Sequence, residues 1–143
     1  MLSKSCEYGL RALLHVSLNS SEEKKIGIKE VAENLELPSA YLSKILQNLV
    51  RHNILQSTKG PNGGFYLNEK SMNTPVIRVV EVIDGLDFFH KCGMGLKKCS
   101  GNKPCPIHHQ FMPYRTKLKQ LLEEKTIGDL SIVIEKGKAF INN

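Results

Sequence analysis

A chain of 143 residues with 41% hydrophobic and 24% charged side chains has the composition of an ordinary globular domain, not of a disordered or fibrous chain. No window is apolar for long enough to span a bilayer, and the opening Met1-Leu2-Ser3-Lys4-Ser5-Cys6-Glu7 lacks a signal peptide's apolar core, so a cytoplasmic protein with no membrane partner is expected. The net charge of +6 makes a polyanion a candidate partner.

Helical periodicity opens the chain. Leu10, Leu13, Leu14 and Leu18 share one face of a helix over residues 5–18, ended by Asn19-Ser20-Ser21. A short helix over 28–35 follows, with Ile28, Val31, Ala32 and Leu35 on one side. Glu36-Leu37-Pro38 breaks it, because proline lacks a backbone donor and disfavours helical geometry in the residue before it. Ser39 is then expected to cap a third helix, whose stripe is Leu42, Ile45, Leu46, Leu49 and Val50. The opposite face, Ala40, Ser43, Lys44, Gln47 and Arg51, is small, polar or cationic and carries no acid.

Two amphipathic helices joined by a tight turn read as a helix-turn-helix. Strands are expected at 54–57 and 65–67, joined by Thr58-Lys59-Gly60-Pro61-Asn62-Gly63-Gly64, whose glycines and asparagine suit a hairpin tip. A helix-turn-helix followed by such a hairpin reads as a winged helix, with Lys59 and the glycines set to meet DNA backbone or a minor groove. The plainer reading is a hairpin that only finishes a small sheet.

Thr74-Pro75 is expected to open a further helix in cap-then-proline order, burying Val76, Val79, Val80 and Ile83 and ending at Asp84-Gly85. A glycine-rich loop without periodicity runs over 88–106. Beyond it Ile107, Phe111, Tyr114, Leu118 and Leu121 recur at steps of four and three, a heptad seam interrupted by Pro113 and suited to pairing with another helix. Thr126-Ile127-Gly128-Asp129 reads as a capping box with Asp in place of Glu, opening a last helix through Ile132, Val133 and Ile134.

The loop holds the chemistry. Cys92, Cys99, Cys105 and His108 follow the pattern C-x6-C-x5-C-x2-H, and the remaining cysteine, Cys6, is far away in sequence. Thiolates and imidazole suit iron–sulfur clusters, zinc or copper. Structural zinc prefers paired ligands at shorter spacing, whereas a cluster presents well-separated corners to a loose loop. Disulfide switching is a third option and leaves one loop thiol over. His108 is the first candidate for a fourth ligand. Glu7 is a second, reaching across from a partner subunit. His15 and His52 read as packing or surface residues, and Cys6 as a small core residue. Nothing offers a nucleotide loop or a nucleophile–base pair, so an enzyme is not expected. A small zinc-binding interaction protein and an iron–sulfur redox carrier are the rivals.

Taken together, the opening segment through Leu13, the helix pair, the Lys59–Gly64 wing, the three-cysteine loop and Thr126-Ile127-Gly128-Asp129-Leu130 resemble the IscR/NsrR/CymR superfamily of bacterial winged-helix regulators. The resemblance spans essentially the whole chain. It implies a mainly α fold with a β-hairpin wing, a winged helix-turn-helix over 1–86, a cluster-binding loop over 87–109, and a dimerisation helix and C-terminal helix over 110–143. It also implies a homodimer on a palindromic double-stranded operator. An iron–sulfur cluster would sit on Cys92, Cys99 and Cys105 and sense redox state, nitric oxide or cluster supply. A [2Fe–2S] cluster completed by His108 is preferred, with [4Fe–4S] and the partner's Glu7 as alternatives. The residues expected at DNA are Ser39, Tyr41, Ser43, Lys44, Gln47 and Arg51 on the helix, and Lys59, Pro61, Asn62, Gly63 and Gly64 on the wing.

Overall fold

A computed structural model describes residues 2–141. Ser3 starts the first helix, α1 (Lys4–Asn19), by accepting the Cys6 amide on its hydroxyl. Leu13 and Leu14 are buried as their spacing predicts, together with Ala12 and Val16. The flanking Leu10 and Leu18 are only half-buried. Helix α1 is the central post of the fold. It packs on α2 (Ile28–Leu35), α3 (Ser39–Arg51), α5 (Val76–Asp84) and α7 (Ile127–Glu135).

Helix α2 closes on Glu36, which takes the left-handed conformation (φ 56°) and returns the chain through a Leu37 amide bond to the Ala32 carbonyl (2.9 Å). Ser39 does not cap α3. Pro38 is the capping residue, with no side-chain bond, and its carbonyl accepts the Leu42 amide at 3.1 Å, so Ser39 is already helical. Leu42, Ile45, Leu46 and Leu49 carry α3 into the core.

The hairpin is tighter than expected, its first strand starting two residues later and its second one residue earlier. Strands β1 (Gln56–Thr58) and β2 (Gly64–Tyr66) pair antiparallel, with Ser57 opposite Phe65. Ile54 and Leu55 are drawn into the core, 2% and 1% exposed, and the Ile54 amide bonds back to the Leu49 carbonyl (3.0 Å), so the ladder starts at Gln56. Ile26 takes an unforeseen place beside Phe65, exchanging backbone bonds of 3.0 and 2.8 Å. Gly64 makes this approach possible: with φ at 145°, a Cβ there would stand 2.7 Å from the Ile26 carbonyl oxygen.

A single turn, α4 (Glu69–Met72), is also new, capped by the Asn68 side chain on the Ser71 amide (2.8 Å). Helix α5 begins one residue later than expected. Pro75 is its capping residue, and the Thr74 side chain makes no capping bond there. The Thr74 carbonyl instead receives the Ile127 amide (3.0 Å), while the Val76 amide donates to Lys125 (2.8 Å), tying the starts of α5 and α7 together. The Thr126–Asp129 capping box forms, with bonds of 3.1 and 2.9 Å.

After α5 and a short 3-10 turn (Asp87–Phe89), the cysteine loop leads into α6 (His108–Glu124), which runs through Pro113. The expected seam divides in two. Phe111 and Leu118 turn inward, with Leu122 buried behind them against α5 and the 3-10 turn. Ile107, Tyr114 and Leu121, spaced by sevens, remain in solvent, Tyr114 at 74% and Leu121 at 51% exposed. A second small core of Cys6, Val76, Val80, Phe89 and Leu122 joins α1, α5, the 3-10 turn and α6 at the mouth of the loop. Among the described residues no helix is long and apolar enough to cross a membrane.

Candidate metal centre and nucleic-acid interface

The loop gathers its thiols although almost none of it is buried. The Sγ atoms of Cys92, Cys99 and Cys105 lie within 4.8 Å of one another, with Cys105 buried and the other two half-buried. Turns do the folding. The Gly95 amide closes on the Cys92 carbonyl (2.9 Å), and Gly95 accepts a φ of 75° that a larger residue would resist. The Met94 amide points at the Cys92 sulfur (3.3 Å) and the Cys105 amide at the Cys99 sulfur (3.4 Å). Amide dipoles aimed at sulfur stabilise thiolate charge, which is what a metal ligand needs.

The Cys92 thiol is drawn down to about 7, first by the Leu96 amide and then by the Met94 amide and the neighbouring thiols, against a desolvation that pushes it up. The Cys99 thiol moves the other way. The Cys105 amide alone would lower it, but burial and the thiols of Cys92 and Cys105 outweigh that pull. Thiolate charge therefore settles first on Cys92.

His108, on the first turn of α6, stands at the edge of this group, its Nδ1 3.1 Å from the Cys99 sulfur. Its neighbour His109 stacks edge-on against it at 5.1 Å. Glu7 is elsewhere in the chain, half-exposed and paired with Lys4 at 3.0 Å. Cys6 is fully buried, and burial, then Asp84 and Glu7, pushes its thiol up to about 12. It is a packing residue. His15 is buried and His52 exposed, neither near the thiols' ligand set.

Sequence reasoning missed the floor of the site. A Cβ on Gly93 would stand 2.9 Å from the Phe111 ring, so the chain beside Cys92 can lie on α6 only because residue 93 is glycine. Arg115, one turn further along α6, donates to the Lys91 carbonyl. A glycine next to one of the clustered cysteines is the available signal, but it does not say what approaches it. Three thiols, amide donors on two of them and an adjoining imidazole form a donor set that fits iron or zinc.

The second candidate surface lies on α3 and the hairpin. Ser39, Ala40, Tyr41, Lys44, Gln47 and Arg51 are exposed and Ser43 is half-buried. Lys59, Pro61 and Asn62 stand clear at the hairpin tip, which the Gly63 amide closes on the Gly60 carbonyl (2.9 Å), while Gly63 and Gly64 are half-buried. Among the described residues Lys44, Arg51 and Lys59 make no ion pair, so their charge is free for an anion. Tyr41 differs from the rest, because its hydroxyl is bonded to Ser5 on α1.

Comparison with known proteins places this architecture. The family model of Rrf2, described as an iron-dependent transcriptional regulator, matches residues 2–132. A protein of Aquifex aeolicus provisionally named an HTH-type transcriptional regulator is 26% identical over 138 residues, 95% of this chain and 94% of that one. The HTH-type transcriptional regulator IscR of Escherichia coli is 26% identical over 129 residues, 90% of this chain and 78% of that one. Among solved structures, CymR, the global cysteine regulator of Bacillus subtilis, superposes with a TM-score of 0.75 at 20% identity, covering 92% of this chain and 96% of that one. IscR of T. potens gives 0.72 at 18% identity, covering 98% and 92%. With the winged-helix fold in place and the family model matching nearly its whole length, the chain belongs to the Rrf2 family of winged-helix transcriptional regulators, which are not enzymes.

Proposed function

We propose that the protein is a homodimeric regulator whose affinity for a palindromic operator is set by an iron–sulfur cluster held on Cys92, Cys99, Cys105 and His108. The observation that carries this reading is the convergence of the three sulfurs within 4.8 Å, with backbone amides aimed at two of them. The similarity to IscR and the three-cysteine group are compatible with an iron–sulfur cluster, and [2Fe–2S] is preferred to [4Fe–4S] on the resemblance drawn from the sequence. Such a cluster, when bound, supplies one-electron redox chemistry and sensitivity to oxidants and nitric oxide.

The chain's own residues do the rest. The division into a winged helix over 1–86, a ligand loop over 87–109 and a pairing segment over 110–143 puts the loop between reader and partner. Lys44, Gln47 and Arg51, with Ser39 and Ser43, face a major groove, while Lys59, Pro61, Asn62, Gly63 and Gly64 meet phosphate or minor groove. The exposed apolar residues Ile107, Tyr114 and Leu121, with Ile132 and Val133 on α7, supply the face a second copy would cover. In such a dimer the partner subunit's Glu7 competes with His108 as the fourth ligand.

Anaerobic purification with absorption and Mössbauer spectra tests the cluster. The expected result is a coloured protein whose iron and sulfide are lost in Cys99→Ser, with His108→Ala and Glu7→Ala assigning the fourth ligand. A colourless protein with stoichiometric zinc contradicts it. A second reading has its own support in the lowered Cys92 thiol and the likeness of fold to CymR, which has also been solved from Staphylococcus aureus in an oxidised form (TM-score 0.70). There two loop thiols would give up two protons and two electrons to an oxidant and close a disulfide. Metal-free protein whose operator binding responds to peroxide and dithiothreitol would favour it.

A further inference from the structure

The first turn of α1 touches both halves of the molecule. On one side, the Ser3 amide donates to the Asp84 carboxylate at 2.9 Å and the Ser3 hydroxyl bonds the same carboxylate. Asp84 is the last residue of α5, immediately before the segment that leads into the cysteine loop. Ser3 also caps α1, so moving Asp84 moves the helix start itself. On the other side, Ser5 bonds the Tyr41 hydroxyl on the first turn of α3, and Tyr8 packs edge-on against the Tyr41 ring at 6.0 Å between centroids. Tyr41 is 40% exposed, with its polar atom already partnered within the chain.

We propose that this turn is the mechanical link between the cysteine loop and the recognition helix, and that Tyr41 is a positioning residue which sets the angle of α3, not a group that reads DNA. The proposal rests on α3 being the DNA-reading helix. Each end of the link is a hydrogen bond to a short side chain, so a displacement of the Asp84 end of about one bond length cannot be absorbed by rotamer change alone. It passes to Ser5, two residues further on in the same first turn. The rigid Tyr41 ring, wedged by Tyr8, then carries it to α3 at the end that enters the groove.

A positioning residue and a base-reading residue leave different signatures. Removing a base-reading group relaxes preference at one base pair, whereas loss of position weakens all base contacts of the helix together, with no single base pair singled out. The probe is a duplex that the wild-type protein enriches from a random-sequence pool, with binding measured for Tyr41→Phe, Ser5→Ala, their double variant and Asp84→Asn. Ser5 and Asp84 lie off the face formed by α3 and the hairpin. Each single variant is expected to weaken binding by about threefold to tenfold, the range of one hydrogen bond, with no single base pair losing preference more than the others. The Ser5/Tyr41 double variant should be no weaker than either single one, and Ser5→Thr should restore binding. Thermal melts check that each variant remains folded.

Relaxed preference at one base pair in Tyr41→Phe, or wild-type binding by Ser5→Ala, would overturn the role given to Tyr41. Wild-type binding by Asp84→Asn alongside a weakened Ser5→Ala would overturn the link to the loop. A wild-type protein that enriches no duplex would instead overturn the DNA-binding reading itself.

Discussion

The winged-helix core and the cysteine loop hold their shapes by opposite means. From α1 to α5 the chain is fixed by burial: Leu13, Leu42, Leu46, Leu49, Val79 and their neighbours form one apolar cluster, closed below by Ile127 of α7. Between residues 90 and 107 Cys105 alone is buried, and the loop is shaped by turns, amide–sulfur bonds and its seat on Phe111. A segment with so little apolar burial has little to offset its conformational entropy. On the proposed reading, a group held by its thiols would supply the order that burial does not, while the core keeps its own apolar cluster. That difference suits a sensor, in which one part stays folded in every state so that another can change.

The sharpest way to break this comparison is to damage each region in turn. Leu46→Ala, at a fully buried site, is expected to cost about 2–5 kcal/mol in urea unfolding. Cys99→Ser should leave the unfolding midpoint of the metal-free core unchanged and abolish metal retention. A loop substitution that unfolded the core as Leu46→Ala does would erase the distinction. On the DNA side, Lys44→Ala and Lys59→Ala should each lower the log–log salt slope of operator binding by about 0.9 for each phosphate left without its lysine. An unchanged slope would remove those lysines from the interface.

Smaller effects sharpen the comparison within each region. Gly93→Ala puts a Cβ 2.9 Å from the Phe111 ring and is expected to weaken metal retention with little change in core stability. Phe111→Leu in the same chain should relieve it, and retention can be followed by chelator competition. In the core, His15 is 6% exposed with Nε2 lacking a partner, and burial pulls its value below the usual 6.5, against a small opposing effect of Glu30. Above that pH both states are neutral. As the pH falls through it, the unfolded chain takes up a proton that the folded chain resists, so stability falls with pH. His15→Leu should flatten the difference between urea midpoints at about pH 7.5 and about pH 5.5.

Much of the core was legible because helical period and capping chemistry are local. Residues 28–35, the α3 stripe and the Thr126–Asp129 box could be read directly. Ser39 and Thr74 were misread as caps because the proline beside each takes the capping position, and Thr74 is occupied elsewhere by Ile127. Ile54 and Leu55 looked like strand because β-period and burial run together in a short apolar pair. The α6 seam divided because a step of four and a step of three fit two faces of one helix, and only the fold decides which meets the core.

The site was legible in its ligands and not in its setting. Spacing singles out Cys92, Cys99, Cys105 and His108, but the amides of Met94 and Leu96 carry no side-chain signature. The sequence groups Tyr41 with Ser39 and Ser43 as a DNA-contact candidate, and nothing in it announces that Ser5, on a different helix, bonds its hydroxyl.

On the proposed reading, the cysteine loop governs DNA binding. Its most direct test is operator affinity measured anaerobically for the wild-type protein beside the Cys92→Ser/Cys99→Ser/Cys105→Ser variant at one salt concentration. A difference of about tenfold or more, or about 1.4 kcal/mol, is expected, with the two proteins equally folded. Equal affinities in proteins that differ in bound iron would contradict it.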